Sequence, residues 1–168
     1  QVSKLHQINP DMKILVYRNI RAVYNYSSEW QTALQNGWIL KDSSGKLVHS
    51  TIWLEIYMAD IGNPEYQEFV ANWTKNYIDL YGFDGVFSDN GLGVSPNECF
   101  YAASSEPINP RTGDLWTCAE IVDAYIAFHN RIKAAIGPKL DIANGIFHGE
   151  RFFALYDNYV KVLKEAKL

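Results

Sequence analysis

Short apolar runs that alternate with segments of helical periodicity constrain this chain more than any other feature. Residues 14–17, 52–58, 83–87 and 140–146 are the strand candidates. The first follows Asn9-Pro10-Asp11 and is apolar without a break, as strands covered on both faces of a parallel sheet are. Between the second and third runs, Tyr66, Phe69, Val70, Trp73, Tyr77, Leu80 and Tyr81 recur at helical spacing. Asn63-Pro64 supplies an N-cap and a first-turn proline, and Gly82 a C-cap glycine. A second helix begins at Thr117, with Glu120 placed to complete a capping box. Its buried stripe is Ile121, Val122, Tyr125, His129, Ile132 and Ile136, and Gly137-Pro138 closes it. A short helix is expected over 29–36, a turn at Asp42-Ser43-Ser44-Gly45 and an amphipathic helix over 155–166.

Strand–helix alternation of this kind predicts an α/β fold built on a parallel sheet. The chain has no G-x-G-x-x-G and no P-loop, so nucleotide-binding versions lose support. The remaining architecture is the (β/α)8 TIM barrel, whose active site gathers at the carboxyl ends of the strands. A full barrel takes about 250 residues, and the chain has 168. The expectation is therefore one barrel domain over 1–168, incomplete, with the tight junction at 152–155 as the place where a segment would be missing.

Apolar residues make up 48% of the chain and aromatic ones 14%, enough for a packed core. The net charge of −4 and the lack of basic clusters leave a nucleic-acid or anionic-membrane partner without electrostatic support. No apolar run approaches the ~20 residues of a membrane span. Cys99 and Cys118 bracket one polar, loop-like segment. A disulfide between them suits an oxidising compartment, two free thiols remain open, and the spacing does not match a zinc site. Asn25-Tyr26-Ser27 and Asn72-Trp73-Thr74 are N-glycosylation triplets. A secreted or extracellular location is the expectation.

The chemistry points first to Asp89. It ends the run Phe83-Asp84-Gly85-Val86-Phe87-Ser88-Asp89-Asn90-Gly91, at the strand end where a barrel collects ligands. Asp-Asn-Gly is also good turn chemistry, so a capping role stands beside the functional one. Ser88 points to the other side of the strand. Arg18 closes the first run and either contacts an acidic sugar or pairs with a nearby acid. The segment 91–116 is far longer than an ordinary connection of about 4–6 residues, and connections of that length are often functional. Trp53, Tyr101 and Trp116 are candidate sugar-stacking rings, with Trp116 favoured because it ends the long loop after Asp89. His129 falls on the buried helical stripe. His148 and Glu150 lack further ligands at matching spacing, so neither a metal nor a cofactor is expected. No G-x-S-x-G elbow is present.

Five segments in order carry a family resemblance. They are Lys13-Ile14-Leu15-Val16-Tyr17-Arg18-Asn19, Gly37-Trp38-Ile39-Leu40-Lys41-Asp42, Asp60-Ile61-Gly62-Asn63-Pro64-Glu65-Tyr66, Phe83 to Asn90, and Ile142-Ala143-Asn144-Gly145. Together they resemble the hypothetical glycosyl-hydrolase-like TIM-barrel families, related in style to the endo-α-1,4-polygalactosaminidase group. The resemblance implies a carbohydrate-active barrel acting on an oligo- or polysaccharide. It implies that Asp89 is a catalytic carboxylate, that Asp60 is a recurrent strand-end acid that binds sugar or holds its loop, and that Asn90 and Asn144 meet sugar hydroxyls. Glycoside hydrolysis needs two carboxylates, one to protonate the leaving oxygen and one to attack or activate water. Glu150 is the best local candidate for the second, although a surface-loop glutamate fits it too. Glu55 lies within a strand candidate but far from its end. The competing expectation is a non-catalytic carbohydrate-binding or structural domain of an extracellular assembly.

Overall fold

A computed structural model describes residues 1–90, 100 and 102–144. In chain order the elements are α1 (Val2–Ile8), β1 (Leu15–Asn19), β2 (Ala22–Tyr24), α2 (Trp30–Gln35), β3 (Ile56–Met58), α3 (Pro64–Tyr81), β4 (Gly85–Asp89), α4 (Cys118–Ile136) and β5 (Leu140–Ala143). Strands β1, β4 and β5 form a parallel sheet in that order. Its register pairs Tyr17 with Phe87, Asn19 with Asp89 and Ser88 with Ala143. Helix α3 crosses from β1's side to β4, and α4 from β4 to β5. Sequential strands joined by crossovers of one hand place both helices on one face of the sheet. There α3 and α4 pack on each other and on the strands.

The alternation of side chains separates the two faces. Val16 and Val86 join Tyr66, Val70, Ile78, Tyr125, Phe128 and Ile132 in the core beneath the helices. The opposite face carries Tyr17 and Ile142, both largely exposed, and the half-buried Phe87, whose ring stacks on Tyr17 at 6.4 Å. The helix ends are set by their caps. Asn63 Oδ1 accepts from the backbone N–H groups of Glu65 and Tyr66, and Gly82 takes the left-handed conformation that ends α3. Thr117 and Glu120 form the reciprocal capping box of α4. Gly85 opens β4 where a Cβ would stand 2.1 Å from the Leu140 carbonyl oxygen.

One strand expectation is corrected. The run 52–58 is not a strand of the parallel sheet. Only Ile56–Met58 is extended, and it pairs antiparallel with β2, Ala22 opposite Met58 and Tyr24 opposite Ile56. Ile52, Trp53 and Leu54 form an exposed turn before it. An apolar turn followed by a short strand has the same composition as a strand buried on both faces, so periodicity does not distinguish them. Among the described residues the parallel sheet therefore has three strands and does not close on itself. Helix α1, which the sequence did not announce, is tied to the sheet by a 2.9 Å contact between His6 Nε2 and Asp84 Oδ2. The proposed helix 155–166, the junction 152–155 and the end of the run 140–146 lie outside the described residues.

Two long connections rise from the carboxyl ends of the parallel strands, residues 20–63 after β1 and residues 90–117 after β4. They interlock. Ser50 and Ala103 form a bridge, Ser104 N–H donates to the His49 carbonyl, Thr51 N–H to that of Ala102 and Ile108 N–H to that of Lys41. Ser105 Oγ donates to Asp42 Oδ2 at 3.0 Å. Asp42 also accepts from Ser44 and Lys46, which closes the turn expected there.

Candidate functional site

Asp89 stands at the carboxyl end of β4, half-buried, on the face opposite the helices. Its neighbour Ser88 points the other way and donates to Asp141 at 2.7 Å, while the His129 ring meets the second Asp141 oxygen at 2.7 Å. That buried group lies between the sheet and α4, which places His129 in the core. Each Asp89 oxygen has a defined role in the network. Oδ2 accepts from the Tyr17 hydroxyl at 2.6 Å, and Oδ1 accepts from Asn144 Nδ2 at 2.8 Å and from the Asn90 N–H at 2.9 Å.

The parallel register produces this cluster. Asn19 is opposite Asp89, so Tyr17, two residues earlier, shares the face onto which Asp89 projects. Asn144 follows β5 and its N–H donates to the Ser88 carbonyl, which carries its side chain alongside Asp89. Asn90 adopts a left-handed backbone at φ 54°, a conformation that asparagine accepts more readily than most residues. This turns its N–H back toward the carboxylate. Burial, the Asp89 carboxylate and the neighbouring Tyr24 all push the Tyr17 phenol above its ordinary range. Tyr17 thus stays protonated and donating. All three partners present donors, so both carboxylate oxygens are held in place.

The structure distributes the other sequence candidates. Asn90 and Asn144 join Asp89. Arg18 is buried on the helix-facing side, where it meets Glu29 at 2.9 Å and lies 4.8 Å from the centre of the Trp73 ring. It is the pairing alternative for Arg18 that the geometry displays. Asp60 is buried and takes a two-point contact from Arg111, at 2.9 and 3.0 Å, while Oδ1 also accepts from the Gly62 N–H at 3.2 Å. Trp116 is buried, and the Arg111 guanidinium lies over its ring at 4.7 Å. Its rings are enclosed by the protein rather than presented to a sugar. Trp53, by contrast, is exposed. Glu55 precedes β3, and its carbonyl accepts from Asn25 N–H. Asn25 and Asn72 are both exposed, and Asn72 donates to Glu68 at 3.1 Å. Cys118, the first residue of α4, is disulfide-bonded. Cys99, Tyr101, His148 and Glu150 lie outside the described residues.

Sequence reasoning missed Tyr17. Its run reads as doubly buried, yet a tyrosine near a strand end carries a hydroxyl that needs a partner, and that was the available signal. Among the described residues no group of three or more His, Cys, Asp or Glu could hold a metal ion, and no helix is long and apolar enough to cross a membrane.

The parallel βαβαβ layer has counterparts among solved structures, and three that are similar to it in fold are glycoside hydrolases. A GH31 family sulfoquinovosidase from E. rectale, in complex with an aza-sugar inhibitor, aligns with TM-score 0.60 at 18% identity, over 86% of this chain and 21% of its own. An alpha-galactosidase from Thermus thermophilus, in complex with p-nitrophenyl alpha-D-galactopyranoside, aligns with TM-score 0.52 at 20% identity, over 80% of this chain and 24% of its own. A maltogenic alpha-amylase from Thermotoga neapolitana gives TM-score 0.54 at 15% identity, over 96% and 32%. The chain spans about a quarter of the length of the first of these galactosidase structures. The chain belongs to the hypothetical glycosyl hydrolase family 15, whose profile matches residues 6–152. No curated protein matches it.

Proposed function

We propose that this chain supplies part of the catalytic face of a secreted (β/α)8-barrel glycoside hydrolase that cleaves an oligo- or polysaccharide, with Asp89 as a reacting carboxylate. The observation that carries the proposal is the donor shell of Asp89, built from Tyr17, Asn90 and Asn144. Such a shell fixes the orientation that a nucleophile or a general base needs. The reaction also needs a general acid, which holds a proton until the leaving oxygen takes it. The acid then comes from elsewhere, and Glu150 is the candidate within this sequence. A separation of ~5–5.5 Å between the two carboxyl groups would make the enzyme retaining, and ~6.5–9.5 Å inverting. Asn144, exposed and already bonded to Asp89, is placed to meet a sugar hydroxyl beside the reacting carbon. The disulfide at Cys118 supports an oxidising, extracellular setting.

A second reading is a carbohydrate-binding or structural role without catalysis. It is favoured by one observation: Asp60, the other acid that the family resemblance singles out, is buried and takes both guanidinium contacts of Arg111. Reducing-end release by the full-length protein decides between the two. Asp89→Asn should lower kcat by at least about a thousandfold with the fold retained, as expected for loss of a reacting carboxylate. Glycan binding without turnover by the unaltered protein would establish the second reading instead.

A further inference from the structure

The antiparallel β2–β3 pair, with the turn that leads into β3, carries exposed aromatic side chains. Tyr26 is 73% exposed, and the turn Ile52-Trp53-Leu54 is 51%, 54% and 65% exposed. Exposed apolar side chains scattered singly need no explanation, but contiguous ones mark contact surfaces. Ordered hydrogen bonds fix the turn that bears them. Ser50, itself buried, accepts through Oγ from the N–H groups of Ile52 and Trp53, both at 3.1 Å. Ile56 N–H donates to the Trp53 carbonyl, and Asn25 N–H to that of Glu55. Thr51 is tied to Ala102 through both its N–H and its hydroxyl. The ring of Trp53 is therefore presented on a fixed backbone, which lowers the entropy lost when a ligand lies on it.

The pair is also continuous with the Asp89 cluster. β2 begins three positions after the last residue of β1, on the strand-end side of the sheet. Tyr24 lies beside the Tyr17 hydroxyl, which in turn donates to Asp89. The Tyr24 and Tyr26 rings are 5.3 Å apart. A line of phenols thus runs from the carboxylate out along β2 toward the Trp53 turn, paired to it through Tyr24–Ile56.

Resting on the hydrolase reading above, we propose that this strand pair, with its turn, is a sugar-binding subsite remote from the bond that is cleaved, with Trp53 and Tyr26 stacking on pyranose faces of an extended glycan. The chemistry matches the occupant. A pyranose offers an apolar C–H face to an aromatic ring and a hydroxyl edge to phenols, and tyrosine and tryptophan pair one apolar surface with one polar tip. The subsite acts on length: it holds sugar units that a short substrate does not possess.

The test uses the full-length protein, made in a host that adds no glycan at Asn25, on an array of immobilised short and long α- and β-linked oligosaccharides. Unaltered protein and Asp89→Asn should bind the same long members. Trp53→Ala should weaken binding to those by about tenfold, the worth of one aromatic contact, and leave short members unaffected. Trp53→Phe should restore most of the loss. Because Trp53 is exposed, an unchanged melting temperature will show that the variant is folded. Array binding by Trp53→Ala and Tyr26→Ala equal to that of the unaltered protein would overturn the subsite while leaving catalysis at Asp89 intact. Absence of both binding and cleavage by the unaltered protein would instead bring down the hydrolase reading, and the subsite with it.

Discussion

The parallel layer and the two connections above it share one apolar core but differ in how their backbones are paired. In the layer, β1, β4 and β5 bury Val16 and Val86 against α3 and α4, and this apolar core also encloses the Ser88–Asp141–His129 group and the Arg18–Glu29 pair. Most of its stability comes from excluded apolar surface. Among the described residues the connections contain one three-residue strand pairing and isolated bridges. They share the apolar core through Ile20, Val23, Trp38, Leu40, Val48, Met58 and Ile61, and add named polar contacts: Arg111 on Asp60, Ser105 on Asp42, Ser50 on the Trp53 turn. The difference teaches that the position of Asp89 is a property of the continuous parallel register, whereas the connections are shaped by isolated bridges and single side-chain contacts.

Breaking the layer should have the largest effect. Gly85→Ala would force a Cβ to within 2.1 Å of the Leu140 carbonyl oxygen. Strands β4 and β5 would have to separate, and a loss of about 3 kcal/mol or more is expected in urea denaturation, at the upper end of overpacking effects. Asp60→Ala tests the connections. It leaves Arg111 without its carboxylate, and the expected loss is about 2 kcal/mol, below that for a fully buried pair because Arg111 is 41% exposed on its side chain. Hydrogen exchange should then accelerate in residues 59–62 and 109–116 while the strands of the parallel sheet stay protected. The same pattern in both variants would show that the two regions unfold together and would remove the distinction.

Tyr17→Phe is subtler. It deletes one donor to Asp89 from an exposed position, so stability should change by about 1 kcal/mol or less. If the sheet orients the carboxylate, kcat should fall about tenfold with KM little altered. An unchanged kcat would assign orientation to Asn90 and Asn144 alone. The smallest effect is expected from acid. Burial opposes the charge on Asp84, but the Ile14 N–H, His6 and Lys13 outweigh it and hold the carboxyl below its ordinary range. Asp42 is held at about 2, first by Ser44 and then by Ser105 and the backbone of Lys46 and Ser44. Both folded-state values lie below the unfolded ones. Their contributions are therefore complete above the unfolded value near 3.8 and fade as pH falls, for Asp42 through about 2. Asp84→Asn should flatten the acid limb of the stability curve for the layer, and Asp42→Asn the corresponding limb for the connections, each read by hydrogen exchange at graded pH.

What the sequence disclosed follows the same division. Asn63, Pro64, Gly82, Thr117 and Glu120 mark helix ends through local chemistry, and local chemistry is legible without neighbours. Asp89 was legible because the end of a parallel strand is defined by the strand itself. Arg18 and Trp116 were not, because the face a side chain takes depends on register and on partners distant in sequence. Arg18 shares its face with Ser88 rather than with Asp89, and Trp116 is covered by Arg111. Residues 52–54 are apolar yet exposed, which no periodicity reveals. Tyr17 escaped notice because its partner lies 72 positions away.

The bridge between Ser50 and Ala103 has an evolutionary corollary. Two excursions sewn to one another cannot drift in length separately, because lengthening one shifts the seam that positions its mate. Family members should show matched insertions or deletions in both stretches, inherited as a pair above an unchanged sheet.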